Sequence, residues 1–301
     1  MITLPELSAL AVTHGLQDSA LAPVQPVRVG RAVLGVDDPA LMATVNLSRD
    51  STYRPSIATS AESAVRKARI AWAEGAAVVD IGAESSTASA VRVDALTQVR
   101  QLTPVIEQCA SEGIAISIEG YDTEVIGAGL RAGAVVVNLT GRRDEDRIYD
   151  LAAEHDAAVV LCYVGGSDVR EITDVQVDVD PIPGLMEHFK ARIARAKNHG
   201  VTRLVIDPGM GFYYGNLVDP MTRVRHQARV LLHSFRLREL GFPICHALPH
   251  AFGIFEERYR EAEAFFAVLA NLGGASLLRT HEVASVAAVN KAMHLLDVQQ
   301  S

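Results

Sequence analysis

From Pro39 onward the chain alternates between two hydrophobic patterns. Short runs of consecutive apolar residues read as strands buried on both faces. Between them lie segments with apolar residues every three or four positions, the period of an amphipathic helix. The runs are Leu41–Val45, Ala77–Ile81, Ile114–Ile118, Val135–Asn138, Ala157–Leu161, Leu204–Ile206, Pro243–His246 and Ala275–Leu278. The helical patterns cover Ser60–Gly75, Val93–Glu112, Thr123–Ala132, Asp144–Glu154, Gly184–His199, Pro220–Leu240, Phe255–Leu272 and Glu282–Val298. Eight strand–helix units in succession predict an α/β fold, a closed (β/α)8 or TIM barrel, in preference to an open doubly wound sheet. No strand is followed by G-x-G-x-x-G, which argues further against the open alternative.

Ahead of the barrel, residues 1–26 read as an irregular extension, with Pro5, Pro23 and Pro26 as breakers. Val27–Val29 and Arg31–Leu34 flank Gly30 and predict a short hairpin. No composition shift marks a second domain, so residues 27–301 form one barrel domain.

Composition narrows the function classes. The net charge of −8 excludes the basic signature of a nucleic-acid binder. Hydrophobic residues at 49% supply a large core, and 21% charged residues argue against disorder. Cys109, Cys162 and Cys245 are scattered with no C-x-x-C pair, so neither a zinc knuckle nor a disulfide framework is expected. The N-terminus has no basic segment followed by an apolar one, and no run reaches the ~18 apolar residues of a membrane span. These features predict a cytoplasmic protein with no membrane partner.

Barrels of this type place chemistry at the C-terminal ends of their strands. Those ends read Asn46, Asp80 to Ser86, Glu119, Asn138, Tyr163, Asp207, His246, and Arg279 with His281. Arg279 and His281 are two apart, so on an extended segment both can face one anion, and the guanidinium fork suits phosphate. Asn46, on the neighbouring strand of a closed barrel, can ligate Mg²⁺ through its amide oxygen or bond an anion. Asp207, Asn138 and Glu119 form a second group suited to the N–H edge of a heterocycle. Phe212, Tyr213 and Tyr214 can stack on a planar ligand or simply pack a loop. Ser85, Ser86 and Thr87 can bind phosphate oxygens or cap a turn. Asp122 can cap the helix that follows, which would make Glu119 part of an ordinary turn. His246 and His250 flank Leu248-Pro249 without metal-type spacing, so zinc is not expected.

Together these motifs resemble dihydropteroate synthase, of the pterin-binding barrel family. Asn46-Leu47-Ser48-Arg49-Asp50-Ser51 resembles its first-strand N-V-T-P-D-S. Asp80-Ile81-Gly82-Ala83-Glu84-Ser85-Ser86 resembles D-I-G-G-E-S-T. Ser117-Ile118-Glu119 stands at S-I-D, Asn138 at I-N-D, Asp207-Pro208-Gly209-Met210-Gly211-Phe212 at D-P-G-I-G-F, and Arg279-Thr280-His281 at R-V-H. The resemblance implies transfer of a pterin-methyl group from its diphosphate to an aryl amine such as p-aminobenzoate, with Mg²⁺ and release of pyrophosphate. It implies that Asn46, Arg279 and His281 serve the diphosphate end and that Asp207 and Asn138 hold the ring. Ser86, Glu119, Phe212 and His250 then line the substrate site, and a homodimer through the barrel helices is implied.

The departures cluster. The family's S-R-K after strand seven reads Pro249-His250-Ala251, without the lysine. The strand-three Asp is Glu119. T-R-P in the second loop reads Ser86-Thr87-Ala88, and M-H after strand five reads Cys162-Tyr163. These changes keep two alternatives open: a divergent paralogue recruited for binding or for a specialised pathway, and a pterin-dependent methyltransferase. Arg279-x-His281 argues against the methyltransferase.

Overall fold

The structure is a computed structural model. It describes residues 2–16, 21–35, 38–87, 90–171, 173–175, 180–212 and 214–296. The expected alternation is present. Barrel strands β1 to β8 are Ala40–Asn46, Val78–Gly82, Ile116–Gly120, Val136–Leu139, Ala158–Cys162, Leu204–Asp207, Cys245–Ala247 and Leu277–Thr280. Helices α1 to α8, each following its strand, are Ala61–Ala73, Ala95–Ser111, Thr123–Arg131, Glu145–Glu154, Ile182–Asn198, Pro220–His233, Tyr259–Leu272 and Val283–Leu295. All neighbouring strands pair in parallel from β6 back to β1 and on through β8 to β7. The seam between β6 and β7 closes through one bridge, Ile206 to Ile244, completing the (β/α)8 barrel.

Several boundaries follow from local chemistry. Ser60 and Ser63 form a reciprocal capping box at the start of α1. Asp122 caps α3, accepting from the amides of Glu124 and Val125 at 2.9 and 3.2 Å. Glu119 nevertheless remains within β3 and is not a turn residue. The helical pattern expected from Phe255 is interrupted. A short helix, Phe252–Phe255, and a 3₁₀ turn, Glu256–Arg258, precede α7.

The N-terminal segment corrects an expectation. Leu4–Thr13 is helical, not irregular. Pro5 sits in the first turn, where its missing N–H costs nothing, and Thr3 with Glu6 makes a capping box. Sequence reading had counted that proline as a breaker. Tyr213 and residue 88 lie outside the described residues. Among the described residues no helix is long and apolar enough to cross a membrane. Of the apolar residues on α7, Phe266 and Leu269 are core, whereas Phe265 is 47% exposed.

Period-two alternation divides the strands into two faces. Leu41, Ala43, Val79, Ile81, Val137, Val159 and Ile206 pack outward against the helices. Met42, Val78, Val136, Val160, Val205 and Leu277 pack inward as a barrel floor, together with Val27, Val29 and Leu34 of the hairpin. The hairpin, Val27–Val29 paired with Ala32–Leu34, therefore plugs the N-terminal end of the barrel. One inward step above this floor, the residue types change. Two positions after Met42, Val78, Val136, Val160, Val205 and Leu277 come Thr44, Asp80, Asn138, Cys162, Asp207 and Arg279. A polar layer thus rests on an apolar floor, at the mouth-facing end of the barrel.

Candidate functional site

Arg279 organises this layer. Its Nε donates to Asp80 Oδ2 at 2.8 Å and its Nη2 to Glu119 Oε2 at 2.6 Å. Asp80 is fully buried and also accepts from Ser117 Oγ at 2.6 Å and from Asn138 Nδ2 at 2.9 Å. The Cys162 thiol donates to Asn138 Oδ1 at 3.0 Å. Side chains from three strands, β2, β3 and β5, therefore fix the Asn138 amide and the Arg279 fork. Arg279 is pinned in its charged form: burial opposes the charge, and the two carboxylates outweigh it.

Two carboxyls in the layer are pushed towards neutrality. Burial raises Glu119 to about 7, opposed by Arg279 and reinforced by Asp80. Burial raises Asp207 to about 6, opposed by the Gly209 N–H at 2.8 Å and by Arg279. The Cys245 thiol is hydrogen-bonded to Asp207. The chain turns sharply after Asp207. Gly209 has φ +77, and a Cβ there would lie 2.5 Å from the Tyr163 carbonyl oxygen, so only glycine fits.

The Glu119 shift carries a pH prediction. Its folded pKa lies above the 4.5 of a free glutamate side chain. The folded state therefore binds more protons, and this group's stabilising contribution is complete below about 4.5 and lost as pH rises through 7. Glu119→Gln should flatten the fall in unfolding free energy between pH 5 and 8, by up to about 3 kcal/mol. Urea titrations across that range check this, and an unchanged slope overturns the assignment.

The other expected anion residues lie along one edge. Asn46 ends β1 and donates from Nδ2 to Ser51 Oγ at 3.1 Å and Ser56 Oγ at 2.7 Å. Ser56 in turn donates to the Tyr53 carbonyl, and the Tyr53 ring stacks on His281 at 4.2 Å. His281 does not share Arg279's partners. The strand stops at Thr280, so period-two spacing no longer applies, and the imidazole Nδ1 lies 2.8 Å from Glu263 Oε1 on α7. Burial lowers the His281 pKa, although Glu263 pulls the other way. Arg279 Nε and Nη2 are accordingly engaged by the inner layer, whereas His281 Nδ1 faces Glu263.

His250 Nε2 lies 3.1 Å from His281 Nδ1. Its neighbour Ala251 has φ 45, in the left-handed region, at the start of the short helix. Ser86, Phe212 and His250 line a common cleft at the mouth with Thr52 and Leu248. Ser86 and Glu119 border a second cleft beside Tyr121 and Thr140. His246, read as a strand tip, is instead fully buried and pairs in register with outward-facing Leu278. Tyr214 is core and donates to the Gly209 carbonyl at 3.1 Å.

A family model, the pterin binding enzyme, matches residues 42–281. The chain belongs to the pterin-binding enzyme family. Dihydropteroate synthase of Mycobacterium leprae is 31% identical over 222 residues, covering 70% of this chain and 77% of that one. Xanthomonas albilineans dihydropteroate synthase with 4-aminobenzoic acid superposes with a TM-score of 0.76 at 27% identity, covering 92% and 100%. The same enzyme in complex with 7,8-dihydropteroate gives 0.73 at 26% identity, with the same coverage.

Within this pterin-binding barrel, two participants carried no functional signal in the sequence, and a third carried one without its role. Asp80 is legible as the start of a strand-end motif but not as the buried partner of Arg279. Cys245 gave no signal, since an apolar strand residue can face either way. Glu263 lies on a helix, where an acidic residue is ordinarily solvated.

Proposed function

We propose that this barrel is a dihydropteroate synthase-type transferase. It joins a pterin-methyl diphosphate, or a closely related diphosphate substrate, to an aryl amine and releases pyrophosphate. The observation that carries the reading is the polar inward layer of Asp207, Asn138, Glu119 and Arg279 above an apolar floor.

In the reaction the amine nitrogen attacks the methylene carbon, the C–O bond to diphosphate breaks, and the amine loses a proton. Positive charge grows at the methylene while negative charge grows on the leaving group. Asp207, raised to about 6 by burial, accepts from ring N–H groups, and that contact would return it towards the ionised form. Asn138 is held in one orientation by Asp80 and Cys162, so its amide is preset for the ring edge. Phe212 and Ser86 line the cleft that would take the amine, and His250 and His281 edge the diphosphate side.

Mg²⁺ belongs to the same reading. The Asn46 amide hydrogens are taken by Ser51 and Ser56, so its carbonyl oxygen is the atom left to meet a cation. One neutral oxygen fits Mg²⁺ only if diphosphate oxygens and water complete the shell. Bound there, the ion would offset leaving-group charge.

A second reading has its own support. Pro249-His250-Ala251 lacks the lysine expected beside Asp207, and Ala251 takes a left-handed φ of 45 there. A divergent ring substrate or amine then replaces the usual pair. The test is pyrophosphate release from pterin-methyl diphosphate with p-aminobenzoate and other aryl amines, in the presence of Mg²⁺. Release above a no-enzyme control is expected with at least one amine. Release with none of them rejects pterin-methyl diphosphate as the substrate and leaves only the divergent-ring form of the reading.

A further inference from the structure

At the rim of the barrel, three side chains from separate segments converge on one point. His250 follows β7, Glu263 lies on α7 and His281 follows β8. His250 Nε2 is 3.1 Å from His281 Nδ1 and 3.2 Å from Glu263 Oε1, and His281 Nδ1 is 2.8 Å from the same oxygen.

Hydrogen bonds cannot satisfy this triangle. An imidazole nitrogen carries a proton or a lone pair, never both, and a carboxylate oxygen only accepts. With both nitrogens protonated, two N–H groups oppose each other. With one protonated, the other nitrogen turns its lone pair on the carboxylate. A cation at the centre takes a lone pair from all three atoms and removes the conflict. The size also suits. Bonds of about 2.0–2.2 Å in a tetrahedral array separate ligand atoms by about 3.3–3.6 Å, so the 3.1 and 3.2 Å pairs need only a small opening and the 2.8 Å pair between His281 and Glu263 must open by about half an ångström or more.

The surroundings already hold the ligands in place. Glu263 is fully buried, and its second oxygen accepts from the Thr280 hydroxyl and from the His281 and Glu282 amides at 2.8 and 3.2 Å. Those bonds turn Oε1 towards the histidines. Tyr53 stacks on His281 and lies tilted against His250 at 4.7 Å. Outer contacts of this kind set ligand orientation in metal sites. The His250 side chain is 20% exposed and lines the mouth cleft, which leaves one side of the triangle open.

We propose that His250, Glu263 and His281 bind one divalent transition cation of the Zn²⁺ class. The fourth position faces the cleft and takes water or an oxygen of an anionic ligand. Two imidazoles and a single carboxylate favour such a cation over Mg²⁺, which demands an oxygen-rich octahedral shell. The site is distinct from the Mg²⁺ position at Asn46, and it stands whether or not the transferase reaction does.

The test uses the full chain, stripped with chelator and titrated with Co²⁺. Expected is one equivalent bound with the intense visible bands of a four-coordinate N/O site. Zn²⁺ should displace it, and millimolar Mg²⁺ should not. His250→Ala, at the most exposed ligand, should lower Zn²⁺ affinity by at least about 100-fold. Far-UV circular dichroism shows whether that variant is folded, and His281→Asn serves as a second variant. Inorganic pyrophosphate should shift the Co²⁺ bands of the wild-type protein. A spectrum that stays octahedral, uptake well below one equivalent, or wild-type affinity in both folded variants overturns the site. A spectrum unmoved by pyrophosphate overturns the anion-accepting open position.

Discussion

Replacing Arg279 with methionine is expected to lower unfolding free energy by about 3–5 kcal/mol, the cost of stranding the partners of a buried ion pair. Arg279 is the cation joining Asp80 and Glu119, and Asp80 is fully buried. Methionine preserves most of the volume, so the loss measures charge more than packing. The melting temperature should fall by roughly 6–20 °C at pH 8, given about 2–4 °C per kcal/mol for a large domain. The sign of the pH effect is part of the prediction. Without Arg279 the Glu119 carboxyl loses the cation that opposes its burial, so its folded pKa rises further. The variant's deficit should therefore shrink towards pH 5.5, where that carboxyl holds a proton. Arg279→Lys should fall between the two, because an ammonium cannot span both acids as a fork does. Thermal melts at pH 5.5 and 8 decide the matter. A variant within 2 °C of wild type at both values, a margin far below the ~6 °C minimum expected, rejects the central role of Arg279.

Asp207→Asn is expected to separate stability from activity. The Asp207 carboxyl is raised from 3.8 to about 6 by burial. At pH 7.5 it is nonetheless ionised, and that ionisation opposes folding by about 3 kcal/mol. Asparagine removes the charge but brings an N–H₂ group that needs partners of its own. A net gain of about 1–2 kcal/mol is therefore expected at pH 7.5, fading towards pH 4 as the wild-type acid becomes neutral. In the transferase assay the same change should lower kcat/KM by roughly 100-fold or more. That estimate takes two charge-assisted hydrogen bonds to ring N–H groups at about 1.5–3 kcal/mol each. Groups that destabilise the fold and serve the ligand behave in this opposed manner. A less stable variant that keeps its activity would make Asp207 a turn residue for Pro208-Gly209 and nothing more.

The two predictions concern residues that were unequally legible in the chain. Asp207 stands out because an acid ends an apolar strand and is followed by Pro and Gly, and the structure puts its carboxylate beside Gly209 N–H as that turn requires. Arg279 was legible as a strand-end cation, but its partners were not. Asp80 and Glu119 lie 199 and 160 residues away along the chain. Only barrel closure, with β8 beside β1 and β1 beside β2, brings them together. The His250–Glu263–His281 triangle is the extreme case. In the sequence His250 pairs only with His246, without metal-type spacing, and His281 reads as an anion-binding residue. The third member comes from α7, which packs behind the strands.

The chain by itself determined the architecture and the identity of the strand ends. Apolar runs buried on both sides demand helices on one face and a closed interior on the other, and local capping chemistry sets several helix starts. These are short-range properties, so they survive in one dimension. What only the tertiary structure decided is which polar groups share a charge and which face alone. A side chain's partners depend on register across strands and on helix packing, and its pKa depends on burial by the whole barrel. Arg279 is thereby claimed by two interior acids instead of an exposed anion, and His281 is claimed by Glu263.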